Sequence, residues 1–180
     1  MNWINEIDAV TDACQQYFSP LSSDELNWKP NPSTWSIAQN IAHLIVVNET
    51  YFPILASLQN GQYKTAWIAK IGFLVSFFGK TVLNAVNPDR RKKMKTFPIW
   101  EPKKSNIDDI LKKFEQHQEE LKHNIAASKI FIEKGVVISS PANAYIVYKL
   151  ETAFEIIVTH EKRHLAQAKE VLAMLKKSRA

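Results

Sequence analysis

Residues 150–177 read LETAFEIIVTHEKRHLAQAKEVLAMLKK. Leu150, Ala153, Ile157, His160, His164, Gln167, Val171 and Met174 advance by alternating steps of three and four. That is the spacing of the inward stripe of a helix. The three polar members are consecutive and central, with apolar residues on both sides. The pattern predicts a helix over Leu150–Lys177 whose two histidines face the interior of a helical assembly.

That placement has an energetic consequence. A buried polar group without a partner costs ~1–3 kcal/mol, and adjacent imidazoles oppose each other's protonation. The ring nitrogens must meet side chains, water or a metal ion. Histidines at i and i+4 sit one above the other, so both can reach one ion, at ~2.0–2.1 Å if it is zinc. Two hydrogen-bonded core histidines would give the same pattern, so a third ligand matters. His43 is the candidate. It lies beside Leu44 on a second helix whose stripe is Ile37, Ile41, Leu44, Asn48, Tyr51, Leu55 and Leu58. Three imidazoles leave positions open for water or substrate. Gln167, one turn past His164, and Asn40, one turn before His43, are candidate supporting groups.

HEKRH also matches the HExxH pattern of zinc proteases. Those enzymes need a further ligand downstream, and only sixteen residues follow His164. Glu170, the one carboxylate among them, falls on a different face. Glu161 is rotated by about 100° from His160 and is expected to face solvent. Two ExxH pairs, Glu120/His123 and Glu161/His164, raise a di-iron carboxylate bundle, but Leu121 inward turns His123 outward. His117 borders a core stripe and is expected to be a half-buried structural residue. Cys14 reads as a small core residue.

The remaining elements follow from periodicity and turn signals. A helix is predicted over Trp3–Phe18, and Ser22–Thr34 reads as a loop. The second helix starts near Ser36, capped by Ser33 or Thr34, kinks at Pro53 and ends at Asn60-Gly61. Ala66–Val86 reads as one irregular helix. It approaches the length of a membrane span, but Lys70 and Lys80 lie inside it, so membrane contact is not expected. An extended KTFPIWEPKK follows. A third core helix begins at Ser105, with Ser105 and Asp108 as a capping box, and buries Ile107, Leu111, Phe114, Leu121 and Ile125. Lys129–Lys149 is a connection with a short extended piece. The expected fold is an all-α four-helix bundle with an insertion between its second and third helices, in one domain over residues 1–180.

The loop and second helix, Trp28-Lys29-Pro30 then Thr34-Trp35-Ser36-Ile37-Ala38-Gln39-Asn40-Ile41-Ala42-His43-Leu44, resemble the N-terminal signature of the DinB-like superfamily of metalloenzymes. SPANAYIVYKLETAFEIIVTHEKRHLAQAKEVL resembles its C-terminal signature, and TFPIWEPKKS its proline-bearing connection. Ala66–Lys95 matches least. The resemblance implies up-down-down-up connectivity and a divalent metal held by His43, His160 and His164. It also implies, for some members, thiol-dependent transfer or isomerisation. Imidazole suits Zn, Ni, Fe and Cu.

The bulk numbers agree with a globular protein: 46% hydrophobic, 23% charged and four glycines, too few for an all-β sandwich. Cys14 cannot form an internal disulfide, and the N-terminus lacks the basic and apolar regions of a signal peptide. A cytoplasmic location is expected. Much of the net charge of +5 comes from Arg90-Arg91-Lys92-Lys93 with Lys95. No nucleic-acid motif surrounds this run, so it reads as a solvated loop. The apolar surplus around Phe73–Phe78 would be covered in a homodimer. The expected function is a metal-dependent thiol S-transferase or hydrolase acting on a small molecule, with no general base identified. A non-enzymatic, metal-stabilised binding or regulatory module is the alternative.

Overall fold

The computed structural model describes residues 2–89, 96, 100–102 and 106–179. They are mostly helical. The first helix, α1 (Trp3–Phe18), has the expected bounds and buries Ile7, Val10, Cys14 and Phe18. Asn2 caps it by accepting from the Asn5 amide.

The predicted loop over Ser22–Thr34 contains a short helix, α2 (Ser23–Asn27). Ser22 and Glu25 form a reciprocal capping box, which repays part of the ordering of so short a segment. The next helix, α3 (Ile37–Glu49), is capped by Ser36, not by Ser33 or Thr34. The Gln39 amide donates to Ser36 Oγ at 3.0 Å, and the Gln39 side chain accepts from the Ser36 amide at 3.2 Å. The predicted kink at Pro53 is a full break. Helix α3 ends at Glu49 and α4 runs Phe52–Gln59, with Pro53 in its first turn, where a missing N–H leaves no bond unmade. The apolar segment is also divided, into a 3-10 turn at Trp67–Lys70 and α5 (Gly72–Val86).

Helix α6 (Ile110–Ala127) begins later than the expected Ser105. Two bonds explain the delay. The Ile107 amide donates to Asn27 Oδ1 at 2.9 Å, and Asn27 Nδ2 donates to the Ile107 carbonyl at 3.1 Å. The segment is thereby tied to α2 instead of entering a helical ladder. Asp109 then takes a φ of 53°, outside the helical region. The capping box expected of Ser105 and Asp108 rests on Ser105, which lies outside the described residues. The basic run Arg90–Lys95 lies outside them too.

The connection after α6 holds α7 (Lys129–Glu133) and an antiparallel hairpin of β1 (Val137–Ser140) and β2 (Asn143–Lys149). This hairpin corrects the all-α expectation. The last helix, α8 (Leu150–Ser178), is the longest.

Helix α1 packs on α6 and α8, and α3 packs on the same two. Two apolar clusters result. One joins Ile7, Leu55, Leu121, Ile125, Phe154 and Ile157. The other joins Val10, Phe18, Ile41, Phe114, Val171 and Leu172. Between them α3, α6 and α8 each contribute buried polar residues: Asn48, His117 with Gln118, and Glu161 with His164. The helical stretch 37–59 is long and apolar enough to cross a membrane by composition alone, but it is broken after Glu49 and supplies residues to both clusters.

Candidate metal centre

The three predicted imidazoles converge. On α8, His160 and His164 stand one turn apart, with ring centroids separated by 4.6 Å. From α3, His43 reaches within 5.1 Å of the His160 ring and 4.6 Å of the His164 ring. One nitrogen from each ring lies within 4.8 Å of the other two, so the three can hold a metal ion. His43 and His164 are buried, while His160 keeps partial exposure.

Hydrogen bonds select which nitrogens are offered. His43 Nδ1 lies 2.7 Å from the Trp100 carbonyl. A carbonyl only accepts, so Nδ1 carries the proton and Nε2 presents a lone pair. His164 Nδ1 lies 2.9 Å from Asn40 Oδ1. The Asn40 amide is itself oriented, because its Nδ2 donates to the Ser36 carbonyl at 2.9 Å. The second ring therefore also presents Nε2. This carbonyl-or-amide backing is what orients metal-binding histidines, and the donor set suits a borderline divalent cation. The Trp35 ring forms a wall, 4.9 Å from His43 and stacked 5.8 Å from His164.

Electrostatics keep the rings neutral, the form that ligates. Burial pushes His43 below its ordinary value, partly offset by its bond to Trp100. Burial, then the His43 and Arg163 charges, pushes His160 down to about 3. His164 is held well below its usual range by burial and by His160, His43 and Arg163. Arg163 itself donates to the Ala85 and Asn87 carbonyls, at 3.0 and 3.2 Å, around the C-terminal end of α5.

Of the two candidate supporting groups, Asn40 contacts a histidine of the cluster, whereas Gln167 is half-buried and makes no hydrogen bond to His160 or His164. Trp35 and Trp100 were missed as site residues. Trp100 acts through its backbone carbonyl, which leaves no signal in the side-chain sequence.

Glu161 corrects the sequence reading. Instead of facing solvent it is fully buried. Asn48 Nδ2 donates to its Oε1 at 2.8 Å, and Gln118 Nε2 to its Oε2 at 3.0 Å. Burial raises its pKa to about 7, against those two bonds. Both carboxylate oxygens are committed to these amides, which is not the protease arrangement. His117 is more buried than expected. Its ring stacks on Phe52 at 5.5 Å, and its Nε2 lies 3.3 Å from Asn48 Nδ2. It belongs to this carboxylate network and not to the three-histidine cluster. His123 is exposed, as the rejection of the ExxH pairs required. Met174, expected inward, is 47% exposed. Cys14 is a buried core thiol.

The helices bring three imidazoles together into a cluster that could hold a metal ion, which places the chain among helical proteins with an interior histidine cluster. The sequence model of the DinB superfamily matches residues 6–168, and the chain belongs to that superfamily. No curated protein and no solved structure matches the chain.

Proposed function

We propose that this chain is a metal-dependent enzyme in which His43, His160 and His164 hold one divalent cation, zinc, nickel or iron. The observation that carries the reading is the convergence of three neutral imidazole nitrogens within 4.8 Å, two of them oriented by acceptors behind the ring. Once bound, the cation would lower the pKa of a thiol or water so that it attacks an electrophile near neutral pH. The chain's own residues prepare that step. Asn40 and Trp100 fix the ring tautomers, Trp35 excludes water from one side, and the partial exposure of His160 leaves a route from solvent. The substrate is then a small molecule, and a low-molecular-weight thiol is the favoured nucleophile, which makes the protein an S-transferase or hydrolase of the cytoplasm. We further propose that α1, α3, α6 and α8 form one bundle domain with up-down-down-up connectivity.

A second reading is a metal-stabilised binding or regulatory module without turnover. One observation favours it: Glu161, the carboxylate adjoining the ligands, is tied to Asn48 and Gln118 in the core and does not join the three-histidine cluster. Elemental analysis of freshly purified protein, followed by assay of the metal-loaded chain with several cellular thiols and a chromogenic electrophile, separates the readings. The enzymatic proposal expects about one metal per chain and a thiol-dependent rate that His160→Ala abolishes together with the metal. A fully loaded His160→Ala variant sinks the ligand assignment. Bound metal with no rate above that control under any thiol favours the module.

A further inference from the structure

We propose that the outer face of α5, with the 3-10 turn before it, docks on an anionic lipid surface. The metal centre leaves this region unused. Helix α5 buries Val75 and Gly79 against the body, where a Cβ on Gly79 would stand 3.2 Å from Thr152 Cγ2. Its opposite edge carries Phe73 and Phe77, one turn apart and 73% and 59% exposed. Trp67, in the preceding turn, is 67% exposed. Isolated exposed apolar side chains are ordinary, but three large aromatics on adjoining elements mark an interaction face.

Charge selects the partner. Lys70 ends the 3-10 turn ahead of the helix, and Lys80 follows Phe77 by three positions. Lys64, Lys70 and Lys80 are exposed and pair with no carboxylate among the described residues. Between Glu49 and Asp89 the chain carries no acid at all. An apolar centre with ammonium groups at both ends suits an interface where rings enter the acyl boundary and lysines stay among anionic headgroups. Glu151 and Glu155 line, with Lys80 and Lys149, a groove of about 350 Å3 on the α8 side of α5, so Lys80 stands at the border between that groove and the aromatic edge. Phe73 and Phe77 do not line that groove. A second copy of the chain is the competing occupant. An isologous pairing of this face on itself sets the Lys64 and Lys70 ammonium groups against their own copies, and like-charge juxtaposition is costly.

Flotation of the full chain with vesicles of phosphatidylcholine alone, or mixed with phosphatidylglycerol, tests the proposal. The chain should bind the mixed vesicles, bind neutral ones far more weakly, and be released by ~1 M salt. The Phe73→Ser/Phe77→Ser variant should bind about tenfold more weakly or worse, with its helical circular dichroism and metal content unchanged. If that variant fails to fold, the Lys70→Gln/Lys80→Gln variant gives the same reading, and its undiminished binding overturns the proposal. Absence of binding to mixed vesicles overturns it. So does binding that survives loss of both phenylalanines, which would belong to the basic run Arg90–Lys93. A dimer in solution that the same phenylalanine pair dissociates assigns the face to a second copy and also overturns it.

Discussion

Asn40 Oδ1 sits 2.9 Å from His164 Nδ1 across 124 positions of sequence. One amide on α3 therefore decides which nitrogen of an α8 ring faces the metal position. Replacing Asn40 with Leu removes that acceptor and leaves the buried Nδ1–H without a partner. Metal affinity should fall by about 10–100-fold, while the three ligands remain. Competition with a chromophoric chelator measures it. An Asn40→Leu variant with unaltered affinity would show that the ring is held by packing alone.

Glu161 predicts a separation between fold and metal. Glu161→Leu leaves the Gln118 side-chain amide without its acceptor and Asn48 Nδ2 with only His117 Nε2, so chemical denaturation should show a loss of roughly 2–4 kcal/mol. Glu161→Gln should cost less and keep the metal at full occupancy. If Glu161→Gln empties the site, the carboxylate reaches the metal and the structural assignment of this network is wrong.

His117 gives a pH dependence. Burial holds its pKa down at about 4, against an ordinary 6.5. Between those values the unfolded chain binds more protons than the folded one, so stability falls as the pH drops from 6.5 towards 4. The loss from this group is at most about 3 kcal/mol. Metal-free protein should lose stability over that window through His117 and the likewise depressed His43, His160 and His164. His117→Phe should make the slope shallower by one group's share, because it retains the stacking on Phe52 and removes one titration. Urea denaturation at several pH values reads the slope. An equally steep slope in His117→Phe would assign the acid sensitivity to other groups.

Cys14 should be inert. Burial, reinforced by the Glu161 charge, pushes its thiol up to about 12, leaving almost no thiolate at neutral pH. Folded protein should resist iodoacetamide for hours, and denatured protein should be labelled promptly, as followed by intact mass. Prompt labelling of the folded chain would place the thiol in an open pocket. Any thiol in the proposed reaction would then come from a substrate and not from Cys14.

The helices carrying the histidines were legible because their apolar spacing is regular and long. Trp3–Phe18 and Leu150–Lys177 needed only the three-four rhythm, and the i, i+4 pair within it located the centre. Glu161 was not legible for a related reason. Helix α8 packs against α1, α3 and α5, so it buries Phe154, Ile156, Val158, Glu161 and Leu172 as well as Leu150, Ala153, Ile157, His164 and Val171 of the expected stripe. A periodicity argument assumes one inward face, and an enclosed helix has more than one. The late start of α6 depended on Asn27, about eighty positions away, and the Trp100 carbonyl is common to every residue type. Neither contact has a local pattern to read.

Because His43 and the His160–His164 pair lie more than a hundred positions apart, the cluster exists only once α8 has docked on α3. Occupancy by a cation would therefore report that long-range docking.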